Sequence, residues 1–429
     1  MNILSLPFMA KNFKDIVKHY FKRYPDFGVS LENNLPRDIK TIFVIPCFKE
    51  PEILKTLDSL IKCETPNHNT LVLILVNASE NAPQEIKDFN KKTFDDIQLF
   101  ISKKECKNLY FRAILKNNLP AKHAGVGYAR KTLMDSALKI FETQNHDGVI
   151  VNTDADCLFT LNYINSIENT FLNEKIKLAV MHYEHRIEQE KNESIAKGIT
   201  EYELHLRYYK QALEWTNYPN VLETIGSCMV CRASTYALEG GMNKRKAAED
   251  FYFINKLAKN HVSTTITKAA VLPSCRTSDR VPFGTGKAMN DYIETETEVF
   301  QSYDFECFQA LKKFVSQIEW LYNNDFKNIE LDNTSKAFLN KIDIEQNLIN
   351  IKKQSNNLNR FINRFFYWFD HLKALQFIHF MTENKFSKID IDKAALQFLY
   401  YKNENILFEN TFEILEKFRK NEKESNSRY

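Results

Sequence analysis

Glycine and proline are scarce in this 429-residue chain, at 10 and 11 residues. That shortage argues against a sandwich or barrel, whose many tight turns draw on both. Long apolar runs are lacking as well. The longest uninterrupted aliphatic stretch is Leu71–Val76, far short of the ~20 residues that a spanning helix needs. Met1–Lys40 carries charges throughout and has no apolar core of signal-peptide length. The expectation is a soluble or peripheral protein, not an integral one. Charge of one sign is missing too. Lys and Arg total 58 against 55 Asp and Glu, a formal net charge of +3, so there is no global case for a nucleic-acid partner. Paired cysteine motifs are the last absence. Of the eight cysteines at 47, 63, 106, 157, 228, 231, 275 and 307, only Cys228 and Cys231 form a C-x-x-C. No second pair stands at zinc-site spacing. Buried reduced thiols and a cytoplasmic setting are the expectation.

What the chain does contain is a globular balance, with 44% hydrophobic and 26% charged residues. Its length suits two domains rather than one. Phe8–Tyr24 has apolar residues at helical spacing, and Pro25 and Gly28 follow it. Thr41–Ile45 reads as a short strand stopped by Pro46, Glu52–Leu60 as a helix, and Thr70–Val76 as a buried strand. Gln84–Ile101 and Ala124–Thr143 read as helices, with Gly148–Asn152 and Lys177–His182 as further strands. Alternating strands and helices imply an α/β fold with a mostly parallel sheet in three layers. In such a sheet a ligand binds outside the carboxyl ends of the strands. Those ends carry Pro46–Glu50, Asn77–Glu80 and Asp154–Asp156. Beyond Gln301 the segments Phe305–Tyr322, Ser335–Lys353, Phe361–Thr382 and Ile391–Tyr401 all read as helices, which predicts an all-helical C-terminal region.

Four constellations carry chemistry. Asp154 and Asp156 flank Ala155 just after an apolar strand. Residues two apart in an extended segment point the same way, and two carboxylates at one spot repel unless a cation lies between them. Hard oxygen ligands suit Mg²⁺ or Mn²⁺; the plainer alternative is a pair of solvated loop carboxylates. Glu249 and Asp250 open the apparent helix Phe251–Lys259 after Gly240-Gly241 and the basic stretch Lys244-Arg245-Lys246. They complement a helix dipole, or one serves as general base toward a hydroxyl. Arg276, Arg280 and Lys287 lie along a loop punctuated by Pro282, Gly284 and Gly286, a pattern able to close over a pyrophosphate or to be an ordinary surface loop. The fourth is His123–Arg130 with Gly125 and Gly127. It looks like a dinucleotide fingerprint, but Arg130 stands where the third glycine belongs and the preceding 116–122 is polar, so a dehydrogenase is rejected.

Taken in order, TIFVIPCFKE, LVLILVNASEN, GVGYARKTLMDSAL, VIVNTDADCLF, Gly226-Ser227 with Gly240-Gly241, and AAEDFYFINKL resemble a family 2, GT-A type glycosyltransferase over residues 41 to 290. The resemblance implies a GT-A catalytic domain over 41–295, a helical lead-in over 1–40 and a helical region over 296–429. It implies a nucleotide-diphosphate sugar, a UDP-sugar first among them, and Mn²⁺ or Mg²⁺ as cofactor. By the same resemblance, Pro46, Glu50, Asn77, Lys122 and Arg130 would contact the nucleotide or its phosphates, and Asp154 and Asp156 the metal. Asp250 would be the catalytic base with Glu249 beside it. Asn77 stands where the family usually has Asp, which leaves the base undetermined. The Q-x-x-R-W signature of processive synthases is absent, and the Arg276–Gly286 loop stands in its place. That implies addition of one sugar, with Arg276 and Arg280 as phosphate contacts.

Two rivals stand beside this reading. A sugar nucleotidylyltransferase usually opens on a Gly-rich loop, and Thr41–Pro51 has no glycine. A catalytically silent nucleotide-sugar-binding protein would keep the loops without turnover. Glycosidase chemistry by the paired carboxylates leaves the nucleotide-type loops unexplained. Within the helical region, Arg360–Met381 mixes Phe361, Phe365, Phe366, Tyr367, Trp368, Phe369, Phe377 and Phe380 with Arg360, Arg364 and Lys373. Core packing is the plain expectation. Peripheral contact with the inner face of a membrane is the alternative. The acceptor is not legible.

Overall fold

The structure, a computed structural model, describes residues 12–24, 28–29, 35–246, 248–276, 285–294, 299–404 and 407–425. Compactness divides the chain differently from a single cut at 295/296. One unit takes residues up to 186 together with 224–274; the other takes 187–223, 275–276 and the described residues from 285 onward.

The first unit is built on eight strands: β1 (Ile39–Cys47), β2 (Asn69–Ser79), β3 (Leu109–Leu119), β4 (Val149–Asn152), β5 (Leu158–Phe159), β6 (Leu178–Tyr183), β7 (Met229–Arg232) and β8 (Ser263–Leu272). Their order across the sheet is β3-β2-β1-β4-β7-β6-β8-β5. β1 pairs in parallel with β2 and β4, β2 with β3, and β6 with β8, whereas β7 and β5 run against their neighbours. The α/β expectation therefore holds, with a mostly parallel sheet. Helices α1 (Phe13–Arg23), α2 (Ile53–Lys62), α3 (Gln84–Ser102), α4 (Val126–Thr143) and α5 (Tyr163–Phe171) alternate with the strands. α6 (Glu193–Trp215) belongs to the second unit, while α7 (Ala233–Leu238) and α8 (Glu249–Ala258) return to the first. The central strands β1, β2 and β4 are rich in Val, Ile and Leu and buried along nearly their whole length, as expected where helices cover both faces.

Two details correct the sequence reading. β1 does not stop at Pro46 but continues to Cys47. Val44 O accepts from Thr153 N at 3.2 Å, so the even-numbered residues of β1 face β4. That pairing ends at Val44 and Asn152. The missing N–H of Pro46 thus falls where β4 has already ended, and no ladder bond is lost. The second correction is β3. It precedes the glycines of 125 and 127, where a polar stretch had argued against any strand. β3 is the sheet's outer strand and most of its residues are only half-buried, so polar side chains are tolerated.

The second unit is helical, and its expected helices are present in shorter pieces. Phe361–Thr382 is two helices, Leu358–Trp368 and His371–Asn384, separated where Asp370 Oδ1 accepts from Lys373 N at 3.1 Å and caps the second. Ser335–Lys353 likewise breaks at Asp343, which has a φ of 56°. Phe361, Phe365, Phe369 and Phe377 are fully buried in the core, Phe366, Trp368 and Phe380 are half-buried, and Tyr367 is exposed. No described helix is long and apolar enough to cross a membrane. Beside the apolar core lies a buried ionic network. Arg419 grips Glu203 with Nε and Nη2, both at 2.8 Å, and Arg207 pairs with Glu203 and Glu422. All eight cysteines are free, and six of them are buried, in line with plain core thiols.

Candidate active site

The site assembles around Arg130, in the second turn of α4. Its side chain is 4% exposed. Nη1 donates to the carbonyl of Gly226, Nη2 donates to Asp154 Oδ1 at 2.6 Å, and Nε lies 3.3 Å from Glu249 Oε1 in an ion pair. One guanidinium therefore draws together the carboxyl end of β4, the loop before β7 and the first turn of α8. These three segments are far apart in sequence.

Glycine makes this approach possible. A Cβ on Gly127 would lie 2.3 Å from Arg245 O and 3.1 Å from Glu249 Cβ, and one on Gly125 would lie 2.9 Å from Lys246 Cα. A Cβ on Gly226 would meet Arg130 Nη2 at 2.5 Å. The two glycines of the 123–130 segment thus let the start of α4 close onto the loop that leads to Glu249. Their role is packing between chain segments, and the rejection of the dinucleotide motif stands on that ground rather than on a missing strand.

Burial pushes the Glu249 carboxyl up to about 7; Arg130 opposes the shift, and the neighbouring Asp250 and Asp154 reinforce it. Asp250 is also raised, first by burial and further by Asp154, against the pull of Arg130 and of a hydrogen bond from Phe251 N to its Oδ1 at 2.8 Å. Two adjacent carboxyls with raised proton affinity are what acid–base work requires. Ala248, just before α8, has a φ of 56°, an uncommon value for alanine that aims the start of the helix.

The Asp154–Asp156 turn is held from behind. Thr56 Oγ1 in α2 donates to Ala155 O at 2.8 Å, and Arg186 Nη2 reaches Asp156 O at 3.4 Å and, through Nε, Pro273 O at 3.4 Å. Asp154 is 37% exposed and reachable by a ligand. Among the described residues no group of three or more His, Cys, Asp or Glu converges to cage a metal. A pair of strand-end carboxylates instead fits a hard cation that takes its remaining oxygens from phosphate and water.

The other expected residues divide. Asn77 is 7% exposed; its carbonyl accepts from Asn90 Nδ2 at 2.9 Å, and its own Oδ1 is buried without a hydrogen-bond partner among the described residues. Asn152 Oδ1 and Nδ2 and Thr153 Oγ1 are in the same condition. Such atoms at the carboxyl ends of β2 and β4 are a sign of a site made to receive something polar. Glu50 is 1% exposed, and its Oε1 accepts from Glu52 N at 2.8 Å, so it shapes the turn into α2. Pro46 is the penultimate residue of β1, and Lys122 is exposed on the turn after β3. Arg276 belongs to the second unit, and Arg280 and Gly284 lie outside the described residues. Arg130, expected to steady a nucleotide, directs its donors at Gly226, Asp154 and Glu249.

Sequence reasoning missed Arg186, Thr56 and Asn90. Asn90 ties Asn77 to the first loop, since its Oδ1 accepts from Lys49 N at 3.1 Å. Arg186 had a signal, because it follows the strand read at Lys177–His182 and so sits at a fourth strand end. Thr56 and Asn90 gave none, being single polar residues inside amphipathic helices.

No protein-family model and no curated protein matches the chain. Among solved structures, it is similar to Staphylococcus aureus TarS 1–349 in complex with UDP-GlcNAc, at 14% identity and a TM-score of 0.38 over 86% of this chain and 94% of that one. The same TarS fragment in complex with UDP matches at 13% identity and a TM-score of 0.36, over 87% and 94% of the two chains. A longer TarS chain matches at 12% identity and a TM-score of 0.32, over 80% of this chain and 55% of that one. At such scores a functional reading has to rest on the residues of the chain itself.

Proposed function

We propose that the chain transfers a single sugar from a nucleotide-diphosphate sugar, UDP-linked in the first instance, to an acceptor hydroxyl, with inversion and with Mn²⁺ or Mg²⁺ at the diphosphate. The observation that carries this reading is the convergence on Arg130 of two acidic motifs almost a hundred residues apart, Asp154 and Glu249-Asp250.

In this reading the two motifs divide the work. Asp154 and Asp156 face the diphosphate end, and a cation bound there would offset the charge that develops on the leaving group. Asp250 faces the acceptor. It takes the hydroxyl proton as the acceptor oxygen attacks the anomeric carbon; the bond from that carbon to the diphosphate oxygen breaks, and its electrons leave with the diphosphate. Its raised proton affinity suits a base at neutral pH. Glu249, held by Arg130, sets the orientation of the first turn of α8. Arg130 is a positioning residue that keeps the donor end and the acceptor end in register. The buried unpartnered atoms of Asn77, Asn152 and Thr153 support a polar ligand at the sheet's carboxyl edge.

The test is donor hydrolysis. Purified protein is incubated with UDP-, GDP- and dTDP-sugars, with and without Mn²⁺, and release of nucleoside diphosphate is followed. Slow metal-dependent release from one nucleotide class is expected. Thermal stabilisation by a donor without any release would favour the silent binding protein, and neither effect with any donor would end the reading.

A further inference from the structure

The basic run Lys244-Arg245-Lys246 has no part in the chemistry above, and a charge run is usually no more than a solvated face. Here it is fixed in place. Asn243 Nδ2 donates to Glu249 O at 3.1 Å, and Arg245 N donates to Asn243 Oδ1 at 3.0 Å. The start of α4 closes against the run through Gly125 and Gly127, with no room for a Cβ. The Arg245 guanidinium carbon lies 3.9 Å from the centre of the Tyr252 ring, in the first turn of α8. Arg245 and Lys246 are both exposed, and neither forms an ion pair among the described residues. Lys122, also exposed, stands three residues before Gly125 on the segment that meets Lys246. Arg245 and Lys246 therefore stand against the start of α4 and just ahead of Glu249 and Asp250 in the chain, with Lys122 three residues before the Gly125 contact.

We propose that this patch recognises a negatively charged acceptor, a glycan bearing phosphate or carboxylate groups, with Arg245 and Lys246 as its anion contacts. The proposal rests on the transferase reading and names the substrate class of the same site. Its physical basis is charge balance. Asp154, Asp156, Glu249 and Asp250 make the centre acidic, so an anionic acceptor is repelled unless cations lie on its path. A neutral acceptor needs none. The run leads into α8, where the proposed base meets the acceptor hydroxyl, four residues after Lys246; the carboxylates assigned to the diphosphate lie in the turn after β4. Stacking on Tyr252 pre-orients the guanidinium fork, which lowers the entropy lost when it engages an oxyanion.

The experiment measures binding directly. Fluorescently labelled wild-type protein and an R245Q/K246Q variant are applied to immobilised oligosaccharides that are phosphorylated, uronic-acid-bearing or neutral. Donor hydrolysis without acceptor is measured in parallel, and matched melting temperatures confirm that the variant is folded. Wild type should hold one of the two anionic classes and not the neutral one, release it in high salt, and lose about tenfold in affinity on the double substitution. The phosphate and carboxylate arms tell which group is read. Equal binding of neutral and charged glycans, or binding of none, overturns the proposal. So does a fall in donor hydrolysis in the variant, which would assign the cations to the donor. Normal anionic-glycan binding with no donor turnover in wild type would instead sink the transferase reading and leave the anion patch standing.

Discussion

Arg130 and Glu249 face each other across 3.3 Å, Nε to Oε1, and each side chain is only 4% exposed. At that depth a guanidinium and a carboxylate are costly alone and tolerated only as partners. Asp154 completes the arrangement, because it shares the same guanidinium at 2.6 Å.

Arg130→Met should therefore destabilise the protein by about 3–5 kcal/mol, since it leaves Glu249 buried and uncompensated. Urea titration at pH 8, where Glu249 of the wild type is ionised beside Arg130, measures this. Adding Glu249→Gln should recover part of the loss, and the double-mutant cycle reads the coupling. A single-variant cost below about 1 kcal/mol would mean that the pair is not a structural unit.

The raised carboxyls predict how stability varies with pH. Glu249 moves from 4.5 in the unfolded chain to about 7 when folded, and Glu223, buried beside Glu422 in the second unit, to about 8. An acid whose folded value is raised binds protons more tightly in the native state. Each group therefore favours the fold below its unfolded value, and the benefit is lost as pH rises through the folded value. The ligand-free protein should become less stable between pH 5 and pH 8, by roughly 2–3 kcal/mol for Glu249. Glu249→Gln and Glu223→Gln should each flatten part of that slope in urea titrations at several pH values. An unchanged slope in both would show that neither carboxyl titrates as described.

Four of the eight strands were legible, because β1, β2, β4 and β6 are apolar runs bounded by polar strand ends, and such runs have few readings other than buried strands; β5, β7 and β8 went unread along with β3. β3 escaped because an outer strand of a parallel sheet keeps polar residues such as Lys116 and Asn117. α6 escaped for the opposite reason. It buries Glu203, Arg207 and Lys210, so its charges blurred the apolar stripe that marks a helix. Of the site, the acidic motifs were readable from their place after a strand and at the start of a helix. Arg130 was visible, but its partners were not. A long-range ion pair leaves no periodic trace, and the close approach of Gly127 to Arg245 depends on tertiary packing alone.

That approach gives the third prediction. Gly127→Ala would place a methyl group 2.3 Å from Arg245 O, so backbone must shift. A cost of about 1–3 kcal/mol is expected from overpacking. The displaced loop carries Glu249 and Asp250 with it, so transfer should fall more than donor affinity does. Ala129→Gly, in the same turn of α4, serves as a control: it leaves the approach intact and should cost only about 1 kcal/mol of helix stability. If the two substitutions affect turnover alike, the glycine contact does not position α8.

The last prediction separates the two acidic motifs. In the proposed division of work, Asp156 faces the diphosphate and its cation, whereas Asp250 faces the acceptor. Asp156→Ala should abolish the Mn²⁺-dependent stabilisation by donor, which at about 100 times the dissociation constant is worth about 2.7 kcal/mol. The fold should survive, because the turn is held through the main-chain carbonyls of Ala155 and Asp156, by Thr56 and Arg186, and not through the Asp156 carboxylate alone. Asp250→Asn is nearly isosteric and keeps an oxygen able to accept from Phe251 N. Metal-dependent donor binding should persist in that variant while transfer drops by about 10²–10⁴-fold. Thermal shift with the donor and single-turnover transfer assays, run on both variants, give a two-by-two outcome. Loss of donor binding in Asp250→Asn would move that residue to the donor side, and transfer at the wild-type rate would pass the role of base to Glu249. The second case has its own signature. Glu249→Gln would then lower transfer at every pH and remove the limb of the pH–rate profile near 7, the value to which burial raises that carboxyl.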